Sequence, residues 1–411
     1  VSGDGVSSGS SGSSGPAAGP SGAAGGFAEL VRDRRILVCC GSGGVGKTTT
    51  AAVMALEAAR LGRRAVVVTI DPAKRLADAL GLAGLTDSPS RIDGDWPGEL
   101  WATMLDTKST FDNLVAKHAA TPEQARRILA NRFYRNISGA LSGTQEYMAM
   151  EKLYELHEET DFDLVVVDTP PTRHALDFLD APRRLARFLD HRLFRLLMAP
   201  SRGIVRAVNV AAQTFLRTVA KVVGGDVVDD AIAFFQAFEG MEEGFRQRAQ
   251  RVNELLAAPE TAFVLVASPR RDTVAEAHFF AERLSEAGIA VEGLVVNRVH
   301  PEFAAPSVGS SASSSSSAPA TAAAPATAAA ALAERASTLD GTELGGLYRN
   351  LADFEEVASR ERRHLAGLAD AVAPAPLAWV PFLRSDVHDL DGMAEVAAHV
   401  FADVGPEPSR T

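Results

Sequence analysis

The chain has 411 residues, 46% of them hydrophobic, and Asp plus Glu outnumber Lys plus Arg by 52 to 41 for a formal net charge of -11. Such a length allows roughly two to three domains, or one large α/β domain, and the acidic balance argues against a nucleic-acid footprint, which needs a net basic face. The only cysteines, Cys39 and Cys40, are adjacent, so they outline neither a disulfide framework nor a Cys-x-x-Cys metal clip, and a reducing cytosol fits.

Residues 1–26 are almost wholly Ser, Gly, Ala and Pro, a composition that buries too little apolar area to offset its ordering entropy, so a disordered tail is expected over 1–28. That tail has no basic head followed by an apolar run, and no stretch of the chain approaches ~20 apolar residues, so neither a signal peptide nor a membrane span is expected. Short β-branched runs then alternate with helical patterns, at 36–40, 65–70, 164–168, 263–267, 291–297 and 377–380. Continuous apolar strands alternating with helices indicate an α/β fold whose mostly parallel sheet is covered by helices on both faces.

Between the first strand and the first helical stretch lies GSGGVGKTTT, residues 41–50. Strand, glycine loop and helix in that order make a phosphate-binding P-loop. The backbone of Gly43, Gly44, Val45 and Gly46 can approach phosphate oxygens, Lys47 neutralises them, and Thr48 can ligate magnesium beside Thr49 at the helix start. The next strand ends in Asp71, one crossover later and therefore expected on the neighbouring strand. Its carboxylate suits either a water-orienting role or the cap of a helix starting at Pro72. The run DLVVVD ends in Asp168, either a magnesium-holding acid or a structural one, and the following TPPTRHAL places prolines and hydroxyls where a γ-phosphate would lie.

Residues 175–260 carry helical patterns without a convincing strand and are expected to form an inserted helical subdomain between core segments 29–174 and 261–303. Phe234, Phe238, Met241, Phe245, Val252 and Leu256 fall on a near-heptad stripe, the pattern of helix-on-helix packing. Nine basic residues from Arg183 to Lys221, interleaved with Leu and Phe, suit either a solvated rim paired to the acidic remainder or a surface for membranes or acidic partners. A serine run and Ala/Pro repeats mark 304–335 as a low-complexity loop, before a last core segment, 336–405, and a tail, 406–411.

The ordered motifs GSGGVGKTTT, TIDPAKRLADAL, FDLVVVDTPPTRHAL, GLVVNRV and VPFLRSDVHDL resemble those of the ArsA-like ATPases, the arsenite-pump and tail-anchored-protein targeting group within the MinD/ParA class of P-loop NTPases. The resemblance spans most of residues 35–404. It implies ATP hydrolysis with Mg2+ in a dimer: Asp71 in switch I positions the water, Asp168 is the Walker B acid, and Pro171, Thr172 and His174 lie in switch II. It also implies that adenine sits between Asn297 and the loop of Pro381 and Phe382. No Asn/Thr-Lys-x-Asp guanine reader follows Asn297, which favours ATP over GTP.

Three departures stand out. The second lysine of the family's P-loop, which reaches across the dimer to the partner's phosphates, is Ser42 here, and Arg173 stands in switch II where many relatives have glycine. The metalloid-binding and zinc-binding cysteines of the two named groups are absent, and the insertion holds only Met198 and Met241, so neither client carries over. The expectation is therefore a cytoplasmic ATPase acting as a homodimer, or as a heterodimer with a lysine-bearing paralogue, on an unidentified client protein. The rivals are a low-turnover nucleotide-dependent scaffold and a MinD-like ATPase with peripheral membrane contact.

Overall fold

The computed structural model describes residues 26–71, 75–137, 144–170, 225–301 and 328–402. In chain order its strands are β1 (Ile36–Cys40), β2 (Arg64–Thr69), β3 (Ser90–Ile92), β4 (Glu99–Met104), β5 (Leu164–Asp168), β6 (Thr261–Ala267), β7 (Val291–Val299) and β8 (Leu377–Pro381). They form one sheet ordered β3-β4-β2-β5-β1-β6-β7-β8, in which every neighbouring pair is parallel except β3 on β4. The six expected strands are all present, and the α/β fold with a mostly parallel sheet holds.

β1 is buried from end to end, because alternate side chains enter different cores. Ile36, Val38 and Cys40 join one cluster with Val165, Val167 and Leu265, while Leu37 and Cys39 join the opposite one with Val67, Val166 and Val264. The second face is covered by the alanine-rich helix Lys47–Arg60 and by helix Leu390–Val400. Small side chains on the first of these let its axis lie close to the sheet.

The first face is covered by a thick helical layer built from helices Thr107–His118, Pro122–Ala130 and Thr144–Glu158, together with Gly225–Ala237 and Glu242–Leu256. The near-heptad stripe is core: Phe234, Phe238, Met241, Phe245, Val252 and Leu256 are all buried, and the rings of Phe238 and Phe245 lie 4.9 Å apart. Helix Glu242–Leu256 is also tied to helix Thr144–Glu158 by a buried ion pair. Arg248 Nε donates to Glu151 at 2.8 and 3.0 Å, and its guanidinium lies 3.7 Å from the centroid of the Tyr154 ring. The Arg-rich stretch, Met198, Arg173 and the switch II residues Pro171, Thr172 and His174 lie outside the described residues.

Two expectations need correcting. Asp71 does not follow a strand adjacent to β1, because β5 hydrogen-bonds to both β1 and β2 and separates them. Strands β3 and β4 were not anticipated at all. The sequence Glu-Leu-Trp-Ala-Thr-Met of β4 carries a single β-branched residue, Thr103, so its strand character comes from pairing with β2 rather than from local preference.

Helix Ala328–Thr338 occupies the end of the Ala-rich segment and buries Leu332 and Ala336. The loop expected over 304–335 is thus helix from Ala328 onward, and residues 304–327 are the part of it to be tested as dispensable. Replacing them with a short Gly/Ser linker is expected to change folding stability by less than about 1 kcal/mol, since loop closure costs only ~0.6 kcal/mol per doubling of length. Denaturant unfolding alongside an ATPase assay checks this, and an aggregated or ATP-blind product would refute it.

Candidate active site

Three central strands end side by side, β2, β5 and β1, and the polar cluster forms at their carboxyl ends. This is where open α/β sheets place ligands. The chain leaves β1 through Gly41 at φ 144°, where an added Cβ would lie 2.1 Å from the Val266 carbonyl oxygen. It enters helix Lys47–Arg60 through Gly46 at φ 99°, where a Cβ would lie 2.2 Å from Asn297 Nδ2. Only glycine satisfies both the left-handed backbone and the close approach at these two points. Gly43, Gly44 and Val45 complete the turn, and the helix presents its N-terminal amides, Lys47, Thr48 and Thr49, toward the same end of the sheet.

Lys47 is 5% exposed, and its Nζ donates to the Ser42 carbonyl at 2.7 Å. Burial pulls its pKa down, with the nearby Asp168 carboxylate opposing that shift. Asp168 is 1% exposed. Its Oδ2 accepts from Thr48 Oγ1 at 2.8 Å and from Thr69 Oγ1 at 2.9 Å. Its Oδ1 is buried without a hydrogen-bond partner among the described residues. Burial pushes the carboxyl above the usual range, against the two hydroxyl donors and the Lys47 charge. A buried, unpartnered carboxylate oxygen beside a threonine hydroxyl is a donor set suited to magnesium, which takes few protein oxygens and fills its remaining positions with phosphate and water.

Asp71 lies beyond β2. Its backbone N–H donates to Thr69 Oγ1 at 3.3 Å, and its carboxylate lies 3.6 Å from Arg75 Nη1. Gln145, at the start of helix Thr144–Glu158, donates to the Ile70 carbonyl at 3.1 Å. The sequence reading missed both Thr69 and Gln145. A threonine ending an apolar strand and a glutamine opening a helix carry no local signal of that kind.

The late-strand residues converge on the same loop. Asn297 Nδ2 donates to the Val45 carbonyl at 2.9 Å, and its Oδ1 accepts from the Arg298 amide at 2.9 Å, so the orientation of its side-chain amide is fixed by one donor and one acceptor contact. Arg298 has φ 61° and donates to the Gly44 carbonyl at 3.2 Å. Pro381 pairs with Val299 at the end of β8, and Phe382 next to it is 54% exposed with its ring against His300. His300 is itself held by Glu361 through its ring Nδ1 at 2.8 Å and its backbone amide at 2.9 Å.

Both cysteines are buried, and burial holds their thiols protonated, pushing Cys40 up to about 12. Among the described residues no cluster of three or more His, Cys, Asp or Glu could hold a metal ion by itself, and no helix is long and apolar enough to cross a membrane.

Comparison with known proteins agrees with this geometry. A family model described as anion-transporting ATPase matches residues 34–311, more than half of the chain. The chain is 26% identical over 264 residues to an ATPase ASNA1 homolog of Dictyostelium discoideum, covering 64% of this chain and 71% of that protein. Over the same length it is 26% identical to the ATPase GET3 of Malassezia globosa, covering 64% and 72%. It is 21% identical over 394 residues to a putative arsenical pump-driving ATPase 1 of Aquifex aeolicus, covering 91% and 80%. A P-loop at the head of a parallel sheet, two acids at the neighbouring strand ends and this family match place the chain in the anion-transporting ATPase (ArsA) family, an ATP-hydrolysing enzyme.

Proposed function

We propose that the chain hydrolyses ATP by magnesium-assisted attack of water on the γ-phosphate, works as a dimer, and couples turnover to engagement of a client protein. The observation that carries the chemistry is the buried Asp168 carboxylate, with Oδ2 occupied by Thr48 and Thr69 and Oδ1 unpartnered. Lys47 exchanges the Ser42 carbonyl for a phosphate oxygen when nucleotide binds, and the amides of residues 43–49 surround the remaining phosphate oxygens. Thr48 and Asp168 would hold the magnesium, which neutralises charge developing on the transferred phosphoryl group. Asp71 orients the attacking water, and the switch II residues Pro171, Thr172 and His174 follow the γ-phosphate.

The purine would lie beside Asn297, Pro381 and Phe382. Because its contacts to Val45 and Arg298 lock the Asn297 amide, one N–H and one lone pair remain, in one order only. Adenine presents an amino donor at position 6 and guanine a carbonyl acceptor, so a fixed amide can tell the two apart, and preference for ATP is supported by the lack of an Asn/Thr-Lys-x-Asp guanine reader after Asn297. Equilibrium binding of ATP and GTP, each with and without Mg2+, tests the assignment. A preference for ATP of about tenfold or more is expected, together with tighter binding in Mg2+. Equal affinity for the two nucleotides would remove the adenine site, and hydrolysis undiminished by EDTA would remove the magnesium.

Dimerisation and the client are carried by the resemblance of the ordered motifs to the ArsA-like ATPases alone. Purifying the full chain with a non-hydrolysable ATP analogue, and identifying what co-purifies, would name the partner.

A further inference from the structure

We infer that Thr69 is a positioning residue for hydrolysis, its single hydroxyl tying the Asp168 carboxylate to the backbone of Asp71. A hydroxyl has one hydrogen to donate and lone pairs to accept with. Thr69 spends the hydrogen on Asp168 Oδ2 at 2.9 Å and accepts the Asp71 N–H at 3.3 Å. The side chain is 2% exposed, so water cannot replace it at either contact. Thr69 and Asp168 are register partners on β2 and β5, which makes the bridge short and its direction fixed by strand pairing.

Two consequences follow for the site. With Thr48 and Thr69 both on Oδ2, the carboxylate plane is set so that Oδ1 is the oxygen left for another ligand. The strand end leading to Asp71 is pinned at two points, by Thr69 on the Asp71 amide and by Gln145 on the Ile70 carbonyl. The acid that orients water is thereby held in register with the acid beside the phosphate loop. A displacement of about 1 Å at such a group lowers turnover by about a hundredfold.

A purely structural role would look different. Valine has the shape of threonine and is favoured in strands but lacks the hydroxyl that meets Asp168 and the Asp71 N–H, so a purely structural role would show as a lowered melting temperature with the kcat of folded protein unchanged. Thr69→Val separates the two cases, and Thr69→Ser keeps the hydroxyl while losing the methyl. Thr69→Val is expected to lower kcat at least about tenfold with KM for ATP changed less than about threefold, and Thr69→Ser to restore kcat to within about threefold. In nucleotide-free, metal-free protein, hydrogen exchange at the Asp71 amide is expected to speed up about tenfold in Thr69→Val, while residues 66–68 stay protected. In an Asp71→Asn background, Thr69→Val is expected to lower kcat by less than it does alone, because one of the two acids it positions is already lost while its hold on Asp168 remains.

The inference rests on the roles proposed above for Asp71 and Asp168, and the outcomes keep the two apart. Full turnover by Asp71→Asn would sink those roles. An inactive Asp71→Asn beside a Thr69→Val of normal kcat, or a Thr69→Val defect that serine does not restore, would sink the bridge. A raised KM with unchanged kcat would also sink it, by making Thr69 part of nucleotide binding only.

Discussion

Lys47→Ala is expected to weaken ATP binding about a hundredfold or more, while Asp71→Asn leaves binding within about threefold and lowers kcat by about a hundredfold to a thousandfold. The asymmetry comes from when each group acts. Phosphate charge is present in the ground state, so a lysine aimed at it contributes to binding and catalysis alike. In the free protein Lys47 is nearly buried, held by the Ser42 carbonyl and drawn by Asp168, so its charge is already oriented where phosphates arrive. Water becomes nucleophilic only in the transition state, so an acid that orients it shows in kcat and hardly in affinity. The Asp71 carboxylate also lies 3.6 Å from Arg75, and an asparagine there keeps the size while losing the charge. Titration with labelled ATP followed by phosphate-release assays measures both arms. Normal hydrolysis by Asp71→Asn would mean that its carboxylate serves the helix that follows and not the water.

The parts of this site that the sequence disclosed are those built from consecutive residues. Gly41 to Thr49 form a turn whose glycines are demanded by local backbone angles and by what lies against them, and Asp168 ends an unbroken apolar strand. Strand order is another matter. Placing β5 between β1 and β2 is a choice among non-local pairings, and nothing in the residues of β2 announces it. That pairing creates the Thr69 to Asp168 contact, so the bridge stayed hidden with it. Asn297 was found through a resemblance, but its clasp on the Val45 carbonyl depends on a loop 252 residues away in sequence and could not be read from GLVVNRV. β4 shows the same limit from the other side, a strand whose composition does not ask to be one.

Adding a lysine-bearing ArsA-like paralogue is expected to raise this chain's turnover about a hundredfold, equivalent to ~2.7 kcal/mol of transition-state stabilisation, if the catalytic unit is a heterodimer. The argument starts at Ser42, where the family's trans lysine would stand. Ser42 is 3% exposed, its carbonyl holds Lys47, and its Oγ is buried without a hydrogen-bond partner among the described residues. A serine in that position cannot reach a partner's phosphates. A homodimer would therefore lack the extra charge at both sites, whereas a heterodimer would have one competent centre, here, and one impaired centre, in the paralogue. The rival is a cation supplied in cis. Arg298, exposed and donating to the Gly44 carbonyl at 3.2 Å, stands at the loop, and Arg173 of switch II is a second candidate. Turnover should be measured for the chain alone, with the paralogue, as Ser42→Lys and as Arg298→Ala, with melting temperatures recorded because a lysine must leave a buried position. Stimulation by both paralogue and Ser42→Lys, with Arg298→Ala near wild type, would establish the trans requirement. Brisk hydrolysis by the chain alone that Arg298→Ala abolishes, and that neither paralogue nor lysine improves, would instead make the arginine the substitute and the homodimer sufficient.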